Sequence, residues 1–315
     1  MGRLLIRAAM LVVIAGVALV VYIVIFLNQR DPLTDLPSPR RDLPAMSTMP
    51  VKESGRRITH VTLAGGALGD IGFVVSLPDP LPAKKIPVLV VLGGLGTGES
   101  NIRTIKNIGA NAVIGYDWLI PVRFPQGTDF LRQAPELYRD TMTIPGQIAS
   151  MIEWLVVQPW ADEKRIGLLG FSLGALAAPA AQNLAQHDGA SIDATILAYG
   201  GAPLGALFAA NPHMKPEWLR AIIGPVIGLL LRPLDPLANL PRLSGHFLVL
   251  EGRDDRLIPE AARVALRDAV PPPKDVVILG GDHMGIGPDK DALLAEIIAV
   301  SRDWLVRNGA ADAPK

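Results

Sequence analysis

The stretch Gly170-Phe171-Ser172-Leu173-Gly174 sets one hydroxyl between two glycines, after the apolar run "RIGLLG" and before the alanine-rich "ALAAP". This is the nucleophile-elbow pattern, a sharp strand-to-helix turn that pushes the hydroxyl clear of the backbone. Larger flanking residues would collide with the neighbouring strand or helix, and the helix N-terminus adds partial positive charge beneath the reacting oxygen. A serine hydroxyl is a poor nucleophile at neutral pH, so it needs a base for its proton and an acid group to orient that base. Of the five histidines, His283 stands in the glycine-rich loop "GGDHMGIG" directly after the apolar run "DVVILGG". His60 precedes the sheet core, His187 sits near a helix end where dipole capping suffices, His213 lies in an insertion, and His246 begins a strand. For the acid, "LVLEGRDDRLIP" offers Glu251, Asp254 and Asp255 after another strand. Gly252 and Pro259 frame a G-x-x-D-x-x-x-P turn that selects Asp255, with Asp254 as its rival. The chemistry these types permit is acyl transfer: Ser172 as nucleophile, His283 as base, Asp255 as the orienting acid. Each residue also has a plainer role open to it, as a tight turn, a polar loop histidine, or a solvated acidic turn beside Arg253 and Arg256.

The elements that must position these residues alternate between strand and helix. "RITHVTLAG" and "IGFVVSLP" read as an antiparallel opening pair, and "IPVLVVLGG" (86–94) and "NAVIGYD" (111–117) as strands covered on both faces. "NIRTIKNIG" between them reads as a short helix. Ile144, Ile148, Met151, Ile152 and Leu155 recur at helical spacing over 144–158, ahead of the strand that enters the serine turn. An alanine-rich helix follows through Gln182, then strands at "ATILAYG", "HFLVLEG" and "DVVILGG". The final helix carries Leu294, Ile297, Ile298, Ser301 and Leu305 on one stripe, with Trp304 beside it. The expected fold class is therefore α/β, a mostly parallel central sheet between helical layers. Ligands in such sheets bind outside the carboxyl ends of the strands, where all three candidates fall. Residues 203–241 interrupt the rhythm. Their apolar, proline-rich part (211–241) reads as a lid or cap, as a packed helical excursion, or as a segment whose "AIIGPVIGLLL" touches a bilayer.

Taken together, Ser172, Asp255 and His283, in that order on successive strand ends, resemble the α/β-hydrolase superfamily. "ADEKRIGLLGFSLGA" is similar to the elbow region of its dienelactone-hydrolase and prolyl-oligopeptidase-like branches, where an aspartate and an arginine often precede the nucleophile strand. The resemblance covers about residues 57–308. It implies a serine hydrolase that needs no cofactor, with an oxyanion hole built from the backbone N–H groups of Leu173 and Leu95. Many relatives begin the latter loop with His-Gly, whereas this chain has Gly93-Gly94. Two other functions use the same features: an acyltransferase with the same triad, and a catalytically silent anchored binding module.

Composition narrows the partners. Thirty basic residues balance thirty acidic ones, so no long-range field favours nucleic acid, and the absence of cysteine excludes disulfides, thiolate nucleophiles and sulfur-ligated metals. "GGLGTGES" copies the spacing of a phosphate-binding loop, but Glu99 holds the lysine position and would repel phosphate. No H-E-x-x-H or calcium-loop pattern is present. Residues 8–27 carry no charge and, at about 1.5 Å per residue, span about 30 Å of hydrocarbon, so residues 1–28 read as a retained single-pass anchor. Residues 29–56 read as a proline-rich tether and 309–315 as a tail. Arg3 and Arg7 favour an inside N-terminus and an extracytoplasmic body, against Arg30, Arg40 and Arg41 on the other flank. The expected partner is a small-molecule acyl substrate, a lipid-like or short acyl ester rather than a peptide.

Overall fold

Runs of β-branched and aliphatic residues build the sheet of the computed structural model, which describes residues 10, 14–16, 18, 21–22, 24–94, 97–105, 108–119, 128–211 and 217–314. The strands are β1 (Ala45–Ser47), β2 (Val51–Glu53), β3 (Arg56–Ala64), β4 (Asp70–Pro78), β5 (Ile86–Leu92), β6 (Ala112–Tyr116), β7 (Ala161–Phe171), β8 (Ala194–Ala198), β9 (His246–Gly252) and β10 (Lys274–Leu279). Helices α1 (Gly98–Thr104), α2 (Thr128–Val156) and α3 (Leu173–His187) precede β8. Helices α4 (Leu204–Ala210), α5 (Glu217–Leu230) and α6 (Pro236–Asn239) fill the insertion, and α7 (Glu260–Ala269) and α8 (Lys290–Arg307) follow β9 and β10.

The sheet runs β1-β3-β4-β6-β5-β7-β8-β9-β10, with β2 also pairing β3. Pairings among β1 to β4 and between β4 and β6 are antiparallel, while β6-β5-β7-β8-β9-β10 are parallel throughout. Every residue of β5, β6 and β8 is buried, as strands covered on both faces require. The parallel strands therefore deliver six carboxyl ends, at Leu92, Tyr116, Phe171, Ala198, Gly252 and Leu279, to one edge of the sheet.

Helices depart from the sequence reading in several places: the short helix expected over 101–109 is α1 at Gly98–Thr104, and the alanine-rich helix expected through Gln182 runs on to His187. The helix expected at 144–158 begins at Thr128 and ends at Val156, passing through Pro135 and Pro145. A proline withholds one amide and kinks a helix, but the apolar stripe it carries can hold the turns together. Ile144, Ile148, Met151, Ile152 and Leu155 are all buried against the sheet. On α8 the buried set is Leu293, Ile297, Ser301, Trp304 and Leu305, with Leu294 and Ile298 half-buried, so the inward face sits about one position round from the expected stripe.

Residues 29–56 are not a free tether. Leu36 and Leu43 are buried, Arg40 donates its amide to Ser150 Oγ at 2.8 Å, Arg41 pairs with Glu153 at 3.2 Å, and β1 and β2 extend the sheet on β3. Prolines suppressed the apolar period but left two leucines that the body covers. The tail is likewise packed: Ala310 and Ala311 are buried, and Asp312 meets Arg165 at 2.8 Å and Lys84 at 3.0 Å. A chain beginning at Asn28 should therefore melt well above one beginning at Arg56. The shorter chain forfeits the burial of two leucines, roughly 3–6 kcal/mol, and both edge strands. Thermal unfolding of the two truncations checks this.

Of the expected anchor, residues 8–27, eleven are described (10, 14–16, 18, 21–22 and 24–27), each of them helical. Residues 24–29 are helical, and among the described residues no helix is long and apolar enough to cross a membrane.

Candidate active site

Ser172 follows β7 and opens α3 with φ 53° and ψ −110°, a backbone conformation sparsely populated by residues other than glycine. Two close approaches hold it there. A Cβ on Gly170 would stand 2.6 Å from the Gly174 carbonyl oxygen, and one on Gly174 would run into the Leu92 carbonyl at the end of β5. The Ser172 amide donates to Ala198 O at 2.8 Å, tying the turn to the end of β8. Strain of this kind persists only where the surroundings over-determine it, and it is concentrated at functional sites.

The structure brings Ser172, His283 and Asp255 into one chain of contacts. Ser172 Oγ lies 2.8 Å from His283 Nε2, and His283 Nδ1 lies 2.8 Å from Asp255 Oδ2. With Nδ1–H donating to the carboxylate, Nε2 presents its lone pair to the serine hydroxyl. Both partners are shielded from water, the His283 side chain being 3% exposed and that of Asp255 0%. The second oxygen, Asp255 Oδ1, accepts the amides of Leu257 and Ile258 at 2.9 Å each, so the carboxylate cannot rotate away. Asp254, the rival acid, is exposed and donates its amide to Gly281 O at 3.1 Å. Glu251 is turned to Arg267 at 3.1 Å.

Leu173 is the first residue of α3, where an amide has no partner within its own helix and the helix dipole is positive. Leu95, the other expected oxyanion donor, lies outside the described residues. Its neighbour Gly94 does approach the serine: a Cβ there would stand 3.9 Å from Ser172 Cβ. The Gly93 α-carbon is covered by the Asn101 carboxamide, which occupies the volume a histidine side chain would need.

The other histidines are elsewhere. His60 is on β3 beside Glu99 at 3.2 Å, His187 ends α3, His246 is exposed at the start of β9, and His213 lies outside the described residues. Glu99, at the lysine position of the phosphate-loop spacing, is hydrogen-bonded by Arg103, which holds its carboxyl below the usual range, so a carboxylate rather than a cation occupies that place. Asp162 and Arg165, the pair ahead of the nucleophile strand, meet at 2.7 Å, and Arg165 also donates to Asp312 rather than reaching the site.

Two contributors escaped the sequence reading. Tyr199, just after β8 at φ 57°, sets its ring edge-on to the His283 imidazole with centroids 5.6 Å apart. Burial, reinforced by the negative charges of Asp255 and Glu296, pushes its phenol up to about 12, so it stays neutral through the working range. Its position after an apolar strand at the site edge was the available signal. Asp282 clamps the two acid-base loops together: Oδ1 accepts the Arg256 amide at 3.0 Å and the His283 amide at 2.8 Å, and Oδ2 accepts Arg256 Nε at 2.8 Å. These bonds, the Arg256 amide first, lower its carboxyl to about 2. Because the folded value lies below that of a free aspartate, the clamp is complete above about pH 4 and is lost as pH falls through 2. Asp282→Asn should therefore lower turnover about ten-fold at neutral pH by loosening the histidine loop. The pH–rate profile of the variant against the parent checks this: the deficit persists from pH 5 to 8.

No family profile and no curated protein matches the chain. Solved structures do. Acetyl xylan esterase 1 from Thermoanaerobacterium sp. JW/SL YS485 superposes with a TM-score of 0.60 at 14% identity, over 88% of this chain and 93% of the other. An acetyl xylan esterase from Paenibacillus sp. R4 gives 0.58 at 16% identity, over 86% and 98%. Carboxyl esterase 2 from Tuber melanosporum gives 0.54 at 14% identity, over 80% and 88%. The strained serine turn after the strand order β6-β5-β7, and these superpositions over most of each chain, identify the architecture: this chain has the α/β-hydrolase fold.

Proposed function

We propose that the chain is a membrane-anchored serine hydrolase of carboxylesterase type. The observation that carries the reading is the unbroken relay of 2.8 Å contacts from Ser172 Oγ through His283 to Asp255. Ser172 Oγ attacks the ester carbonyl carbon as its proton passes to His283 Nε2, and Asp255 holds the imidazolium that forms. The Leu173 and Leu95 amides stabilise the oxyanion. Collapse of the tetrahedral intermediate transfers the His283 proton to the leaving alcohol. Water, deprotonated by the same nitrogen, then releases the acid and restores the serine. No cofactor enters this sequence. The similar solved structures are named esterases, which favours an ester over an amide or thioester.

Residues 8–27 are the anchor in this reading, with the N-terminus inside and the body outside the cytoplasm. Of the basic residues that weakened that orientation in the sequence, Arg41 is ion-paired with Glu153 of the body and Arg30 stands nearest the anchor. Turnover of esters with graded acyl length by the full chain, with Ser172→Ala as control, tests the activity. Hydrolysis of short or lipid-like esters by the parent alone supports it; equal hydrolysis by both rejects it.

A further inference from the structure

The insertion leaves one apolar face uncovered. Helix α5 packs its small residues Gly224 and Gly228 against Gly205 of α4, close enough that a Cβ on Gly224 would stand 2.7 Å from Ala209 Cβ. The opposite face carries Trp218, Ile222, Val226 and Leu230 at four-residue steps, a single ridge along the helix. Their exposures are 67%, 59%, 52% and 54%, far more than a monomer spends on consecutive large apolar residues without use. No charged residue lies between Arg220 and Arg232.

What covers this ridge follows from where the chain enters the body. The twenty uncharged residues 8–27 end at Asn28, whose carbonyl and side-chain oxygens both accept from Arg232, two residues beyond α5. Val24 and Val226 line the same groove. The point where the apolar segment meets the body is thus the insertion itself, where Arg232 holds Asn28 and the flanking Arg30 and Arg242 are ion-paired with Asp35 at 2.8 Å and Asp31 at 3.1 Å.

We propose that α5 docks on the lipid bilayer, its Trp218-Ile222-Val226-Leu230 ridge immersed at the boundary of headgroups and acyl chains. This inference rests on the anchor reading. It holds the insertion against the membrane surface, so that the sheet edge bearing Ser172 stands near the lipid boundary and receives esters from it.

The chain's lack of cysteine makes the test direct. Single cysteines are placed in the full chain at Ala18→Cys, Ile222→Cys, Val226→Cys and, at the far end of the sheet, Lys164→Cys. Each is labelled with an environment-sensitive dye and reconstituted in phosphatidylcholine vesicles containing lipid brominated near the top of its chains or, for position 18 at the middle of the span, near their ends. Emission at 222 and 226 should fall by about half relative to unbrominated vesicles while that at 164 is unchanged. Quenching at 18 without quenching at 222 and 226 overturns the docking and leaves the anchor intact. Quenching at none of them overturns both, whereas quenching at 222 and 226 without 18 retains the docking and removes the anchor. A blue shift at 222 and 226 that bromine does not quench means protein, a second copy of this chain included, covers the ridge, and overturns the proposal. Should a labelled variant fail to fold, intrinsic tryptophan quenching of the parent, lost in Trp218→Phe, gives the same reading.

Discussion

Ser172→Ala should lower kcat/KM for any ester substrate by about 10⁴- to 10⁶-fold while the melting temperature stays within a few degrees of the parent. The substitution keeps the Cβ, so the strained turn set by Gly170 and Gly174 is unchanged. What disappears is one oxygen and its 2.8 Å contact to His283, whose loss costs stability only about 1 kcal/mol. The disproportion between rate and stability is what distinguishes a nucleophile from a turn residue. Steady-state kinetics and thermal unfolding on the same preparation give both numbers.

Asp255→Asn should cost about 10⁴-fold in kcat, and Asp254→Asn less than about two-fold. An asparagine at 255 keeps its oxygen on the Leu257 and Ile258 amides only by turning its NH2 toward His283 Nδ1. Nδ1 must then accept, the ring proton moves to Nε2, and the nitrogen facing Ser172 can no longer take its proton. The flipped carboxamide would aim two N–H bonds at two backbone N–H groups instead. Asp254 is exposed and touches none of these atoms. The reverse ranking in a kcat comparison would reassign the acid.

The grouping of Ser172, His283 and Asp255 was readable in the sequence to the extent that each depended on one residue and its place at a strand end. Ser172 announced itself through two glycines, His283 through a glycine-rich loop after an apolar run, and Asp255 through the frame of Gly252 and Pro259. Contacts between loops far apart in the chain left no such trace. The Asp282–Arg256 clamp joins two turns 26 residues apart, and Tyr199 reaches His283 only because β8 lies between β7 and β9 in the sheet. The fold class followed from alternation of periods, while its margins did not. Prolines at 135 and 145 hid the first half of α2, and those between Pro32 and Pro50 disguised a segment whose Leu36 and Leu43 the body covers. In both cases tertiary burial outweighed local propensity.

The proposed mechanism depends on activation of Ser172 by His283. Its most direct measurement is the labelling rate of the full chain with a fluorophosphonate, the adduct mapped by peptide mass spectrometry. The relay predicts a single adduct on Ser172 in the parent and slowing of at least about 10³-fold in His283→Ala. An unlabelled Ser172, or equal rates in parent and variant, would contradict it.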